Sequence, residues 1–165
     1  WLNNQHVIRA MPNTPALVGM GMTALVARSE VTGAQQQLAE QIIATTGQFL
    51  WVEQESQLDA VTALSGSGPA YVFYFLEAME RAGGEMGLSS EQALKLAIGT
   101  FSGASQLAAQ STEPPAVLRE RVTSKGGTTF AALESMRASN IAAQFITAIK
   151  AADKRATELG DEFGR

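Results

Sequence analysis

Apolar positions come in short runs over the first fifty residues and at helical spacing after that. Val7 to Met11 reads as a short strand. It stops at Pro12-Asn13-Thr14-Pro15, because two prolines remove N–H donors and restrict the residues before them. Thr23 to Arg28, "TALVAR", is a second strand candidate. Thr32 and Gln35 form a T-x-x-Q capping box, and Leu38 and Ile42 begin an apolar stripe that ends at Gly47. Gln48 to Glu53, "QFLWVE", is a third strand. The first third therefore predicts a small β-α-β unit.

Beyond Ser56 the pattern is helical only. Ser56 and Asp59 mark a start, with Leu58, Val61 and Leu64 on one side. Ser65-Gly66-Ser67-Gly68-Pro69 breaks that helix and opens the next, with Ser67 as its cap and Pro69 in its first turn. The run Ala70 to Leu76 is apolar all round, the mark of a buried helix. Gly83-Gly84 or Gly87 ends it. Ser89 and Gln92 form another capping box, followed by Leu94, Ala97, Ile98, Phe101, Ala104 and Ala108 at helical spacing. Pro114-Pro115 starts a short helix through Val122. A helix near Phe130 to Met136 follows a Gly-Gly turn. The final helix carries one stripe of Ile141, Phe145, Ile149, Ala152, Ala156 and Leu159. The many alanines favour helix and let helices approach closely.

Composition narrows the function classes. Of 165 residues, 45% are hydrophobic and 17% charged, which supports a packed core and excludes a disordered chain. A net charge of -4 without a basic face argues against nucleic acid. Cysteine is absent, so disulfides, thiolate zinc sites and cysteine nucleophiles are excluded. That fits a reducing compartment, and the cytoplasm is the expected location. The charge-free stretch Leu96 to Thr112 contains Ser, Gly and Gln and reads as a core helix, not a membrane span. The chain opens with Trp1 and no signal-peptide layout, and Asn3-Asn4-Gln5 leads straight into a strand, so it reads as a piece of a longer polypeptide.

Several motifs have plain explanations. Gly19-Met20-Gly21-Met22-Thr23-Ala24 spells G-x-G-x-x-A, but a dinucleotide fingerprint follows a strand and opens a helix, whereas this one follows a proline-rich loop and opens a strand. Gly66-Ser67-Gly68 lacks the spacing of a nucleophile elbow. His6, the one histidine, sits at a strand entrance and is structural, so a Ser-His-acid triad and a metal site have no support. Gly99-x-x-x-Gly103 marks close helix packing.

Three clusters remain. "MPNTP", Met11 to Pro15, directly follows a strand, a usual ligand position in α/β folds, or else it is a stiff turn. "SGSGPAY", Ser65 to Tyr71, opens the most apolar helix and reads first as its cap. "VTSKGGTTFAAL", Val122 to Leu133, places Ser124, Lys125, Gly126, Gly127, Thr128 and Thr129 at a helix N-terminus. Thr128 or Thr129 is the expected cap there. The partial positive charge of that end suits a carboxylate or phosphate.

Together, "IRAMPNTPALVGMGMTAL", "LSGSGPAYVFYFLEAM" and "LRERVTSKGGTTFAALE" resemble the pyrroline-5-carboxylate reductases in order and spacing over essentially the whole chain. That resemblance implies reduction of the C=N bond of Δ1-pyrroline-5-carboxylate to L-proline with NADPH or NADH, the last step of proline synthesis. It implies a mostly α fold: a short β-α-β remnant of a Rossmann-type sheet in residues 1–55, then an all-helical bundle in residues 56–165 that interlocks with a second copy. In the family the partner subunit's helical domain completes each active site, and some members form rings of dimers. Ser124, Gly126, Gly127, Thr128 and Thr129 would bind the substrate carboxylate. Thr129 would also sit at the ring nitrogen as the catalytic group. Met11, Pro12, Asn13 and Thr14 would line the nicotinamide side, while the main cofactor site lies outside this chain. This chain alone is therefore expected to bind NADPH weakly and not to turn over. Family members commonly carry proline where Lys125 stands, and Lys125 is given no role. Two other readings stay open. The helical domain of a β-hydroxyacid dehydrogenase needs an asparagine four residues after its lysine, where Lys95 is followed by Gly99. A pure dimerisation module is the third.

Overall fold

A computed structural model of the protein describes residues 5–163. Its elements are β1 (Ile8–Met11), a 3-10 turn (Thr14–Val18), β2 (Gly21–Ala27), α1 (Gly33–Ala44), β3 (Gly47–Trp51), α2 (Gln57–Val61), a π turn (Thr62–Gly66), α3 (Gly68–Glu85), α4 (Ser90–Gln110), α5 (Pro115–Arg121), α6 (Thr128–Ala138) and α7 (Ile141–Phe163). The mostly helical fold with a small leading sheet is as expected. The strand entrance read at Asn3-Asn4 lies outside the described residues.

The chain forms two compact units. One holds the described residues up to Tyr71 and those from Thr147 on, and the other holds Val72–Ile146. In the first unit β2 is the central strand, antiparallel to β1 and parallel to β3. The parallel pair is joined through α1, whose Thr32–Gln35 capping box is formed as expected. His6 Nδ1 lies 3.2 Å from Gln35 Oε1, a structural contact. The second strand begins at Gly21, two residues before the expected start at Thr23, because Gly21 pairs with Gly47. A side chain on Gly47 would collide with the Gly21 backbone, and one on Gly21 would lie 2.9 Å from Ala16 and from the Thr46 carbonyl. Gly19 ends the 3-10 turn in the left-handed region, at φ 71°. Both glycines of the apparent dinucleotide fingerprint thus have a local structural cause.

The core of this unit joins Ala24, Val26 and Leu58, with Met11, Val52 and Val61 packed on it. Leu64, expected on the same side as Leu58 and Val61, is exposed. The π turn is the reason, since its wider winding advances each residue by less than an α-turn and Leu64 falls short of that face. Helix α2 starts where Ser56 indicates, but Ser56 keeps helical angles. The side chain of Gln57 instead accepts from the N–H groups of Glu53 and Gln54.

In the second unit α3 runs through Gly83 and Gly84. Gly83 is buried, and a Cβ on it would lie 2.5 Å from that of Ala93 in α4. Gly87 (φ 95°) ends the helix: its N–H bonds Gly84 O and that of Leu88 bonds Gly83 O, the paired bonds of a Schellman motif. The Ser89–Gln92 capping box opens α4, where Ala93 and Ala97 are buried. Phe75 meets Phe145 edge to face at 5.5 Å. The apolar run of α3 is not buried within the chain: Phe73 is 59% and Tyr74 70% exposed. Gly99 and Gly103, expected at a close helix contact, have no atom within 4 Å of a built Cβ.

Candidate functional site

The site residues expected from the sequence fall in two places, one in each unit. In the first, the loop after β1 and the segment Ser65 to Tyr71 are joined. Asn13 donates from Nδ2 to Ser65 O (3.3 Å) and Ser65 Oγ (3.2 Å), and its Oδ1 accepts from Met22 N–H at 2.9 Å. Both ends of the Asn13 amide are thus committed within the protomer. Met11 is half-buried beside Gly66, where a Cβ would lie 2.7 Å from Met11 Cε. Pro12 and Thr14 are exposed.

The reason lies in the helix opposite. In an α-helix the Ser65 carbonyl would accept from the N–H of residue 69, but Pro69 has none. Asn13 supplies the donor. The Ala63 carbonyl would accept from Ser67 N–H, but that group bonds Thr62 O at 2.8 Å to close the π turn. The Tyr71 hydroxyl donates to Ala63 O at 2.9 Å instead. Ser67, read as an N-cap, keeps helical angles (φ -82°, ψ -17°), so the helix is re-wound there, not broken.

In the second place, Ser124 to Gly127 make a tight turn in which Gly127 N–H donates to Ser124 O at 3.0 Å and Gly126 has φ 75°. A positive φ at the third of four residues is the type II pattern, for which glycine is favoured there. The expected cap on α6 is overturned. Gly127 is the N-cap, with no side-chain hydrogen bond, and Thr128 and Thr129 are the first two helical residues. A glycine cap leaves the N–H groups of Thr128, Thr129 and Phe130 without intrahelical partners. The first bond of the helix is Ala131 N–H to Gly127 O, 3.1 Å. A Cβ on Gly127 would lie 2.5 Å from Ser124 Oγ, so that hydroxyl stands over the helix start. Gly127 and Thr129 are half-buried, while Ser124, Lys125, Gly126 and Thr128 are exposed. Two donor amides of threonines, two hydroxyls and a helix N-terminus make a place for a small carboxylate.

Among the described residues no Gly-rich loop joins a strand to a helix, so the chain does not fit the pyrophosphate of a dinucleotide. The loop after β1 offers groups that could meet the ring end of a nicotinamide, with its apolar Met11 and Pro12 and the hydroxyl of exposed Thr14. Sequence reasoning singled out Ser65 to Tyr71 but read it first as a helix cap and gave Pro69 and Tyr71 no part in the site. A proline within a helical run was the available signal.

The family model for pyrroline-5-carboxylate reductase dimerisation matches residues 55–159. The chain is 46% identical to the pyrroline-5-carboxylate reductase of Pseudomonas aeruginosa, covering 100% of this chain and 61% of that protein. It is 43% identical to the enzyme of that name from Synechocystis, covering 93% of this chain and 57% of the relative. Among solved structures it is similar to a pyrroline-5-carboxylate reductase from Coxiella burnetii, with a TM-score of 0.90 at 42% identity over 93% of this chain and 57% of that one. It also matches a Plasmodium falciparum pyrroline carboxylate reductase with NADP bound, with a TM-score of 0.87 at 30% identity over 94% and 59%. The chain therefore spans about six-tenths of the length of these relatives.

Proposed function

Because the chain belongs to the pyrroline-5-carboxylate reductase family, we propose that the enzyme carrying it reduces the C=N bond of Δ1-pyrroline-5-carboxylate to give L-proline, with NADPH or NADH as reductant. The observation that carries this reading is the start of α6, where a glycine N-cap leaves amides without helical partners beneath the Ser124 hydroxyl. A match beginning at residue 55 supports taking residues 1–55 as the end of the dinucleotide-binding domain and 56–165 as the dimerisation and substrate domain.

The nicotinamide, when bound, supplies the hydride that reduces C5 of the imine. The protein residues bind and orient. Ser124 Oγ and the Thr128 and Thr129 amides hold the substrate carboxylate, and Gly126 and Gly127 let the turn come close to it. Gly127 N–H serves the turn by bonding Ser124 O. The Thr129 hydroxyl hydrogen-bonds the ring nitrogen, which carries a proton from solvent before or as C5 takes the hydride, so that the charged imine becomes an amine. Holding ring and carboxylate at once fixes which face of the imine is presented. Met11, Pro12 and Thr14 line the nicotinamide side, with Asn13 fixing their loop.

The enzyme acts as a homodimer, and rings of dimers and a cytoplasmic location are part of the same proposal. No described helix is long and apolar enough to cross a membrane. The β-hydroxyacid dehydrogenase reading would need an asparagine where α4 carries Gly99, one turn after Lys95. This chain alone would supply the carboxylate site and the dimer surface without turnover.

The test is the purified enzyme with pyrroline-5-carboxylate and NADPH or NADH. Substrate-dependent loss of reduced cofactor with formation of proline is expected. Loss of neither cofactor in the presence of substrate would reject the reading.

A further inference from the structure

The SGSGPAY segment has no role in the reading above, yet it is wound in an unusual way and bonded to the one loop that reading places beside the nicotinamide. Two carbonyls there lose their ordinary helical partners. Ala63 O loses Ser67 N–H to the π turn, and Tyr71 replaces it. Ser65 O has no partner at position 69, because Pro69 has no N–H, and Asn13 Nδ2 replaces it while also reaching Ser65 Oγ. The same Asn13 side chain ties back to β2 through Met22 N–H. A part-buried carbonyl without its helical partner needs another donor, and Asn13 supplies it.

We infer that Ser65 and Pro69 are positioning residues for the nicotinamide: by withholding a helical donor from the Ser65 carbonyl, they dock Asn13 and set the Met11–Thr14 loop against the cofactor ring. The inference rests on the functional reading above. It makes π winding at Thr62–Gly66 part of the site, in keeping with the frequency of such turns at functional positions. The sequence logic is specific. Asparagine alone among residues of its size both donates to Ser65 and accepts from Met22, and only proline removes the competing N–H.

The experiment titrates NADPH into the intact enzyme by nucleotide fluorescence, without substrate, and records melting temperature beside it. Pro69→Ala restores an N–H that competes for Ser65 O; because proline suits a first helical turn, melting should fall by no more than a small shift. The variant should nonetheless weaken NADPH binding about three- to tenfold, the scale of one hydrogen bond. Ser65→Ala removes one of the two Asn13 acceptors and should weaken binding by a smaller factor, and Ser65→Thr should restore it. Asn13→Asp keeps the acceptor for Met22 but turns an oxygen toward Ser65 O, and should weaken binding most. In steady state these variants should raise KM for NADPH more than KM for the imine. Wild-type enzyme that binds NADPH, with Pro69→Ala and Ser65→Ala binding equally well, would overturn this proposal alone. Equal weakening by Ser65→Thr and Ser65→Ala would do the same. Wild-type enzyme that binds no NADPH would overturn the functional reading and this proposal with it.

Discussion

Thr129 sits at the second position of α6, half-buried, with its hydroxyl outside any capping bond. A helix could begin there with many residues, so its chemistry is not demanded by the helix. A hydrogen bond to a charged partner contributes about 1.5–3 kcal/mol, and each ~1.4 kcal/mol is about tenfold in rate. In the intact enzyme Thr129→Ala should therefore lower kcat/KM by roughly ten- to a hundredfold. Melting temperature should hardly move, because no cap is lost. Thr129→Ser should retain most of the rate. Ser124→Ala should act mainly on KM, since the carboxylate is held in ground and transition states alike. Steady-state kinetics beside a melting curve decide it: wild-type kcat/KM in Thr129→Ala would leave that hydroxyl without a catalytic role. The same scale explains Gly127, whose missing Cβ makes room for Ser124 Oγ.

At the scale of single elements, the turn before α6 and the π turn before α3 carry separate expectations. Lys125 is the second residue of the Ser124–Gly127 turn, and proline pre-sets the φ angle that this position takes in a type II turn. Its side chain is exposed. Lys125→Pro should raise stability by about 0.4–1 kcal/mol through the unfolded state, as read by chemical denaturation. A loss of stability would mean the Lys125 backbone is not in that conformation. Tyr71→Phe should do the opposite. It leaves Ala63 O, on a residue that is 1% exposed, without its hydroxyl donor. That omission should cost about 1–3 kcal/mol in the same measurement. No change would show that water replaces the hydroxyl.

For the whole molecule the deciding observation is exposed apolar surface. Phe73 and Tyr74 on α3 and Leu96 and Leu107 on α4 stand uncovered in one protomer, and Gly99 and Gly103 present an open, side-chain-free strip. In the proposed homodimer a second copy of the chain would interlock with these helices and cover them. Obligate interfaces of that kind bury upward of roughly 2,000 Å² in total and leave no stable free protomer. Sedimentation at micromolar concentration should show a dimer or a multiple of it. A monomer there, folded and stable, would remove the assembly from the proposal. The small sheet has exposed apolar residues of its own, Leu17, Val18 and Met20 before β2 and Leu38 and Ile42 on α1.

Local grammar settled much of this protein before any contact was known. The capping boxes at Thr32 and Ser89 and the αL glycine at position 87 act within a few residues of themselves, so strands, helices and most of their ends were legible in the chain. Resemblance carried by the three motif stretches then pointed to the family and to the turn before α6. Tertiary structure decided what depends on partners far along the chain. That the Asn13 amide is taken up by Ser65, 52 residues away, cannot be read from either segment. The burial of Gly83 against Ala93 and the pairing of Gly21 with Gly47 are of the same kind, since a glycine's need for space is set by what packs on it. The π turn misled the periodicity, because a stripe counted at α spacing presumes one winding throughout. The apolar run of α3 was legible as hydrophobic, but its burial was not, since Phe73 and Tyr74 stay 59% and 70% exposed among the described residues.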